Sequence, residues 1–141
     1  MNPIILAAFA GMTLAGLPAL SLAACAAPSE RVATTGAMRS LLQGNTVCVP
    51  AVTQPTMEAQ ELHEPGGALV DYKRGPTDKV DPSKQVGNWT VTGGRSAFVT
   101  HNYGGGVQYT YAIWNNNDGT HSFCSANPEI RARIKSGGGP C

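Results

Sequence analysis

The sequence predicts a small all-β domain, an antiparallel barrel or sandwich laid out as a meander, with a short N-terminal helix ahead of it. Three observations predict it. Between residues 86 and 125, four runs of alternating polar and apolar residues are separated by turn-forming clusters. Seven of the eight aromatic residues beyond residue 24 fall between Trp89 and Phe123, so this stretch supplies most of a core. Charged residues make up only 13% of the chain, while it has 17 glycines and 10 prolines, a composition that favours many tight turns.

From the N-terminus, residues 1–24 carry no charged side chain, and their apolar run ends at Leu22-Ala23-Ala24-Cys25. A run of roughly 20 residues is long enough to span a bilayer, but Pro18 and the small residues that follow fit a cleavable signal peptide better. The aliphatic residue, two small residues and cysteine resemble the bacterial lipoprotein box. That resemblance implies acylation of Cys25 as the new N-terminus, with the membrane as a partner through the lipid. The n-region Met1-Asn2-Pro3 departs from the pattern by lacking Lys or Arg. Cleavage after Ala24 or Ala26 would instead release a soluble periplasmic protein. With no Asp after Cys25, the resemblance implies an outer-membrane protein facing the periplasm.

Residues 25–36 are small and polar and read as a tether, which leaves 37–141 as one β-domain. All 10 Lys and Arg and all 9 Asp and Glu lie beyond residue 24, giving a net charge of +1. A near-neutral domain without a basic patch excludes nucleic acid as an expected partner. Ala37 to Gln43 contains good helix formers and stops at Gly44, suited to the left-handed position after a helix. Val47-Cys48-Val49 reads as the first strand, and Ala68 to Lys73 as another. Met57 to His63 fits a helical turn or a strand equally well. Strands are then expected at 86–92, 96–103, 107–114, 120–125 and 130–134, with Gly93-Gly94, Gly104-Gly105-Gly106 and Asn115 to Gly119 as separators. Gly104–Gly106 precedes a strand rather than a helix, so it is a hairpin turn and not a phosphate loop.

The four cysteines are Cys25, Cys48, Cys124 and Cys141. With Cys25 acylated, Cys124 and Cys141 are the expected disulfide, tying back a Gly-rich C-terminus. Cys48 is then a buried thiol or a competitor for Cys124. No CxxC pair is present, which argues against a zinc site.

The densest polar group is Glu58, Glu61, His63 and Glu64, followed by Asp71, Lys73 and Arg74. In an extended chain Glu61 and His63 project to one side, and an imidazole beside carboxylates suits metal binding or acid–base work. A metal site at Glu61, His63 and His101, or an enzyme using Glu61, His63 and Glu64, is therefore the alternative reading, and convergence of the first three would favour it. His121 joins them only if the sheet curls. No cofactor is implied, and no nucleophile elbow is present. Asn88-Trp89-Thr90 matches a glycosylation acceptor, although Trp89 suits a core position. Trp114 beside Asn115-Asn116-Asn117 could cover a sheet edge or stack on a sugar.

The strings Leu42 to Pro50, Gly67 to Pro76, Val86-Gly87-Asn88-Trp89, Asn102 to Gly106 and Tyr109-Thr110-Tyr111 resemble a group of small secreted or lipid-anchored proteins of Gram-negative bacteria. The resemblance covers about residues 40–141 and implies a class without an activity. A looser likeness of architecture links the chain to periplasmic lysozyme inhibitors, whose hallmark loop motif it lacks. The expected function is thus a lipid-anchored envelope protein, a binding or structural module for an envelope protein or glycan. Loops 53–67 and 74–85 are its expected partner surface.

Overall fold

Alternation of period two leaves one face of each strand apolar, and the chain buries these faces by curling the sheet until its two edges meet. The structure, a computed structural model, describes residues 25–80, 82–125 and 129–141; the expected signal segment lies outside them. The elements are β1 (Glu30–Arg31), α1 (Thr35–Leu42), β2 (Thr46–Val49), β3 (Ala59–His63), β4 (Ala68–Tyr72), β5 (Ser83–Thr92), β6 (Phe98–Gly104), β7 (Val107–Asn115), β8 (His121–Cys124) and β9 (Ile130–Lys135). From β2 to β9 each strand pairs antiparallel with the next, and β2 pairs with β9. This is a closed eight-stranded up-and-down barrel, in which closure removes the exposed edges of an open sheet. The undecided segment 57–63 contributes a strand, β3.

Core residues follow the alternation. Trp89 and Val91 of β5, Val99 and His101 of β6, Ile113 of β7, Phe123 of β8 and Ala132 of β9 are all buried. Trp89 also donates its indole N–H to the Glu64 carbonyl at 2.9 Å, which satisfies its polar edge. Trp114 points the other way, half-buried on the outer face of β7, where it pairs with Arg31 of β1 and Ser122 of β8.

α1 closes one end of the barrel. Thr34 caps it by accepting the Ala37 N–H at 3.1 Å, and Gly44 follows it with φ +76°, as the sequence predicts. Met38 and Leu42, one turn apart, are fully buried in the core, each worth about 1.5–3 kcal/mol. The connections β3–β4, β5–β6 and β7–β8 share this end. The β2 to β3 and β6 to β7 connections and the described part of the β4 to β5 connection surround the opposite end, over which no helix lies among the described residues. Close strand approach in the wall needs glycine at Gly87, where a Cβ would lie 2.2 Å from the Asn102 carbonyl oxygen.

Two expectations are corrected by the chain ends. The disulfides are Cys25–Cys124 and Cys48–Cys141, not Cys124–Cys141. Cys141 lies near Cys124 in sequence, but β9 carries the chain away from β8 to the far side of β2, with Lys135 opposite Thr46. The tail then runs over the outer face of β2 to β4. Thr46 Oγ1 donates to the Gly139 carbonyl at 2.8 Å, the Gly139 N–H donates to Tyr72 Oη at 3.0 Å, and the Cys141 N–H donates to Gln60 Oε1 at 2.6 Å. Cys48, cross-strand partner of Gln60, is the thiol in reach.

The segment expected as a tether belongs to the domain. β1 pairs with the end of β7, the Val32 N–H donates to the Ile113 carbonyl, and the Ala97 N–H donates to the Ala33 carbonyl. Cys25 is drawn to β8 by the same docking. Its Sγ is bonded to Cys124, and an acyl thioether would need that sulfur.

Candidate functional site

At the open end the barrel interior is incompletely filled. The cavity is about 110 Å³ and is lined by Val47, Val49, Ala59, Glu61, His101, Tyr103, Tyr111, Phe123 and Ile130. Register explains the set. Val47 stands opposite Glu61 and Val49 opposite Ala59, so β2 and β3 present these four to one face. Val99 stands opposite Tyr111 and His101 opposite Tyr109, which puts the aromatic side of β7 on the same interior. Phe123 and Ile130 are paired between β8 and β9.

The rim of this end carries exposed apolar residues. Of the five large exposed hydrophobic residues among those described, Val52, Val107, Tyr109 and Ile130 belong to it; Phe98, beneath the Arg31 guanidinium, is at the other end. The rings of Tyr103, Tyr109, Tyr111 and Phe123 run from rim to interior, with successive centroids 6.1, 6.4 and 5.8 Å apart.

Polar groups form a chain behind the cavity. Tyr103 Oη donates to the Glu61 carboxylate, 2.8 Å from Oε1 and 3.0 Å from Oε2. His101 Nδ1 is 3.4 Å from Tyr103 Oη and 3.6 Å from Glu61 Oε2. His101 Nε2 then meets His63 Nε2 at 2.9 Å, and His63 Nδ1 lies 3.3 Å from the Glu61 carbonyl oxygen. β3 and β6 are separated by two strands in the sheet, so the imidazoles meet through the barrel interior. Trp89 packs edge-on to His63, with centroids 5.2 Å apart.

Burial sets the charges. It pushes the His63 imidazole down to about 3, helped by His101 and opposed by the Glu61 carbonyl, and it pushes His101 down to about 4. Both rings are neutral at pH 7, so in this contact one Nε2–H donates and the other Nε2 accepts. Burial raises the Glu61 carboxyl; the Tyr103 hydroxyl pulls it back and the Asp71 charge adds to the rise. Asp71 is the cross-strand partner of Glu61, is itself raised by burial, and its buried Oδ1 has no hydrogen-bond partner among the described residues. The Tyr103 and Tyr111 hydroxyls are raised by burial and by Glu61, so both stay protonated.

The structure thus brings together Glu61, His63 and His101, the three residues of the expected metal site, but as a hydrogen-bonded chain rather than a ligand set. The two Nε2 atoms face each other, while the Glu61 carboxylate lies at the opposite edge of the His101 ring. Among the described residues no group of three His, Cys, Asp or Glu can hold a metal ion. Glu64 is remote from the chain: its backbone forms the turn at the helix-covered end, where its N–H donates to the Ala68 carbonyl. His121 lies at that end too, opposite Asn115 and Ala132.

No family model, curated protein or solved structure matches this chain.

What the site can do follows from its groups. Among the described residues the cavity lining has no Ser, Thr, Cys or Lys to act as a nucleophile. It offers one carboxylate, two phenols and an imidazole edge within mostly apolar walls, a composition that suits binding. Tyr103, Tyr111 and Phe123 complete the lining: alternation within a strand puts Tyr103 on the face of His101 and Tyr111 on the face of Ile113, but only the paired register of β6, β7 and β8 brings the three together.

Proposed function

We propose that this chain is an exported, disulfide-closed β-barrel of the bacterial cell envelope that binds a small ligand in the cavity at its open end. The observation that carries the reading is the combination at one end of an unfilled interior, exposed apolar residues at the rim and, among the described residues, no covering helix. Clusters of exposed apolar residues beside a concavity mark binding surfaces in soluble proteins. The connections β2–β3 and β4–β5, within the loops expected to meet a partner, border the same mouth. Two disulfides support an oxidising compartment, and so does the signal-like composition of residues 1–24.

The lipid-anchored form is the second reading, and the sequence Leu22 to Cys25 favours it. It excludes the Cys25–Cys124 bond, so a lipidated protein has Cys124 as a free thiol. Thiol labelling under non-reducing conditions separates the forms. Binding is tested by recording NMR spectra of the purified protein with small cationic, neutral and anionic compounds. Shifts concentrated at Glu61, His101, Tyr103 and Tyr111 are expected for at least one class. No compound moving these resonances, or shifts only at the α1 end, would refute the binding reading.

A further inference from the structure

The cavity also specifies a chemical class of ligand, an inference that rests on the binding reading above. We propose that it receives an alkylammonium group: a cationic amine on a short apolar stem. Among the described lining residues the only formal charge is the Glu61 carboxylate, and no Lys or Arg is present to neutralise it. Among the described side chains Glu61 accepts from Tyr103 alone, which leaves acceptor capacity on both oxygens. Asp71 is its cross-strand partner on β4, with one buried oxygen that has no hydrogen-bond partner among the described residues, so two carboxylates stand side by side. Arg74, the cation acting on Asp71, is engaged with Asp78 by an ion pair of 3.2 Å. The charge nearest the cavity is therefore negative, and it opposes an anion.

The walls select the rest of the ligand. Tyr103, Tyr111 and Phe123 present ring surface beside the carboxylate, and aromatic faces attract a desolvated cation. Val49 and Ile130, nearer the mouth, suit methylenes. At about 110 Å³ the cavity is smaller than the ~150 Å³ void that takes benzene, so it holds a head of about four or five heavy atoms and not a whole sugar ring. The remainder of a larger ligand would lie across the exposed rim of Val52, Val107 and Tyr109.

The test is an NMR titration at neutral pH with n-butylammonium, n-butanol and butyrate, which share size and differ in charge. n-Butylammonium is expected to shift Glu61, Tyr103 and Tyr111 and to bind about tenfold or more tightly than n-butanol, the ratio of a charge-assisted to a neutral contact. Butyrate is expected not to bind. Glu61→Gln, which keeps an acceptor for Tyr103, should weaken n-butylammonium about tenfold, and Asp71→Asn, which is further from the head, by about two- to fivefold. The second variant keeps the proposal testable should the first misfold. N-acetyl-lysine N-methylamide, run alongside, identifies the source: matching shifts assign the site to a protein lysine tip, and binding of n-butylammonium alone assigns it to a free amine. Equal affinity for n-butanol, or unchanged affinity in both variants, overturns the cation class and leaves the binding reading standing. Silence from every probe overturns both.

Discussion

Replacing His63 by Gln should flatten the acid sensitivity of the fold by a calculable amount. His63 is fully buried, and its imidazole is held neutral in the folded chain down to about pH 3, against 6.5 for the free side chain. His101 is held neutral to about 4. The unfolded chain therefore binds more protons than the folded one throughout this interval, and stability falls as pH falls from near 6.5 toward the folded values. Between about pH 7 and pH 5 an unfolded imidazole gains nearly one proton, which amounts to about 2 kcal/mol per histidine, or about 4 kcal/mol for the pair. That figure depends on the unfolded value and hardly on whether the folded one is 3 or 4. His121, also depressed by burial, adds with the same sign. Glu61 and Asp71, whose carboxyls are raised by burial, act oppositely, because the folded chain takes up their protons first. Comparison of parent and variant isolates His63 from these terms. Urea denaturation with the disulfides intact, at about pH 7 and about pH 5, should show the variant losing about 2 kcal/mol less than the parent. Equal losses would refute the buried neutral pair.

Four further outcomes follow from the same structure. Replacing both Cys48 and Cys141 by Ser opens a link spanning 93 residues and should lower stability by about 4–5 kcal/mol in the chain-entropy picture, read as a shift in denaturant midpoint. Leu42→Ala removes a fully buried side chain where α1 plugs the barrel and should cost about 2–5 kcal/mol by thermal or chemical denaturation. Gly87→Ala places a methyl against the Asn102 carbonyl and should cost about 1–3 kcal/mol, with amide-proton exchange accelerated across the β5–β6 ladder. Tyr103→Phe removes the hydroxyl that holds the Glu61 carboxyl down, so the Glu61 midpoint followed by carboxyl ¹³C NMR should rise above that of the parent.

Much of this architecture was legible in residue order. The alternation of Val107, Tyr109, Tyr111 and Ile113 announced a strand with one buried face, and Gly44 announced the end of α1. Closure was not legible, because a meander forms an open sandwich or a barrel from the same alternation. The decision rests on whether the last strand reaches the first, as Ile134 does opposite Val47. Disulfide pairing failed for the same reason: proximity of Cys124 and Cys141 in sequence says nothing once β9 crosses to β2. Residues 25–36 read as a tether because they are small and polar, yet their backbone groups find partners on β7 and near Ala97, which composition does not encode. The site was half visible. Glu61 and His63 share a face by spacing alone, but their meeting with His101 and Tyr103 depends on the curvature that brings β3 and β6 together across the interior.

The most direct test of a barrel stapled at both chain ends, and of its proposed export to an oxidising compartment, is peptide mapping of the protein isolated from its host without reduction. The account predicts two cross-linked peptide pairs, Cys25 with Cys124 and Cys48 with Cys141, and no free thiol. An acylated Cys25 with Cys124 unpaired, or a Cys124–Cys141 pair, would contradict it.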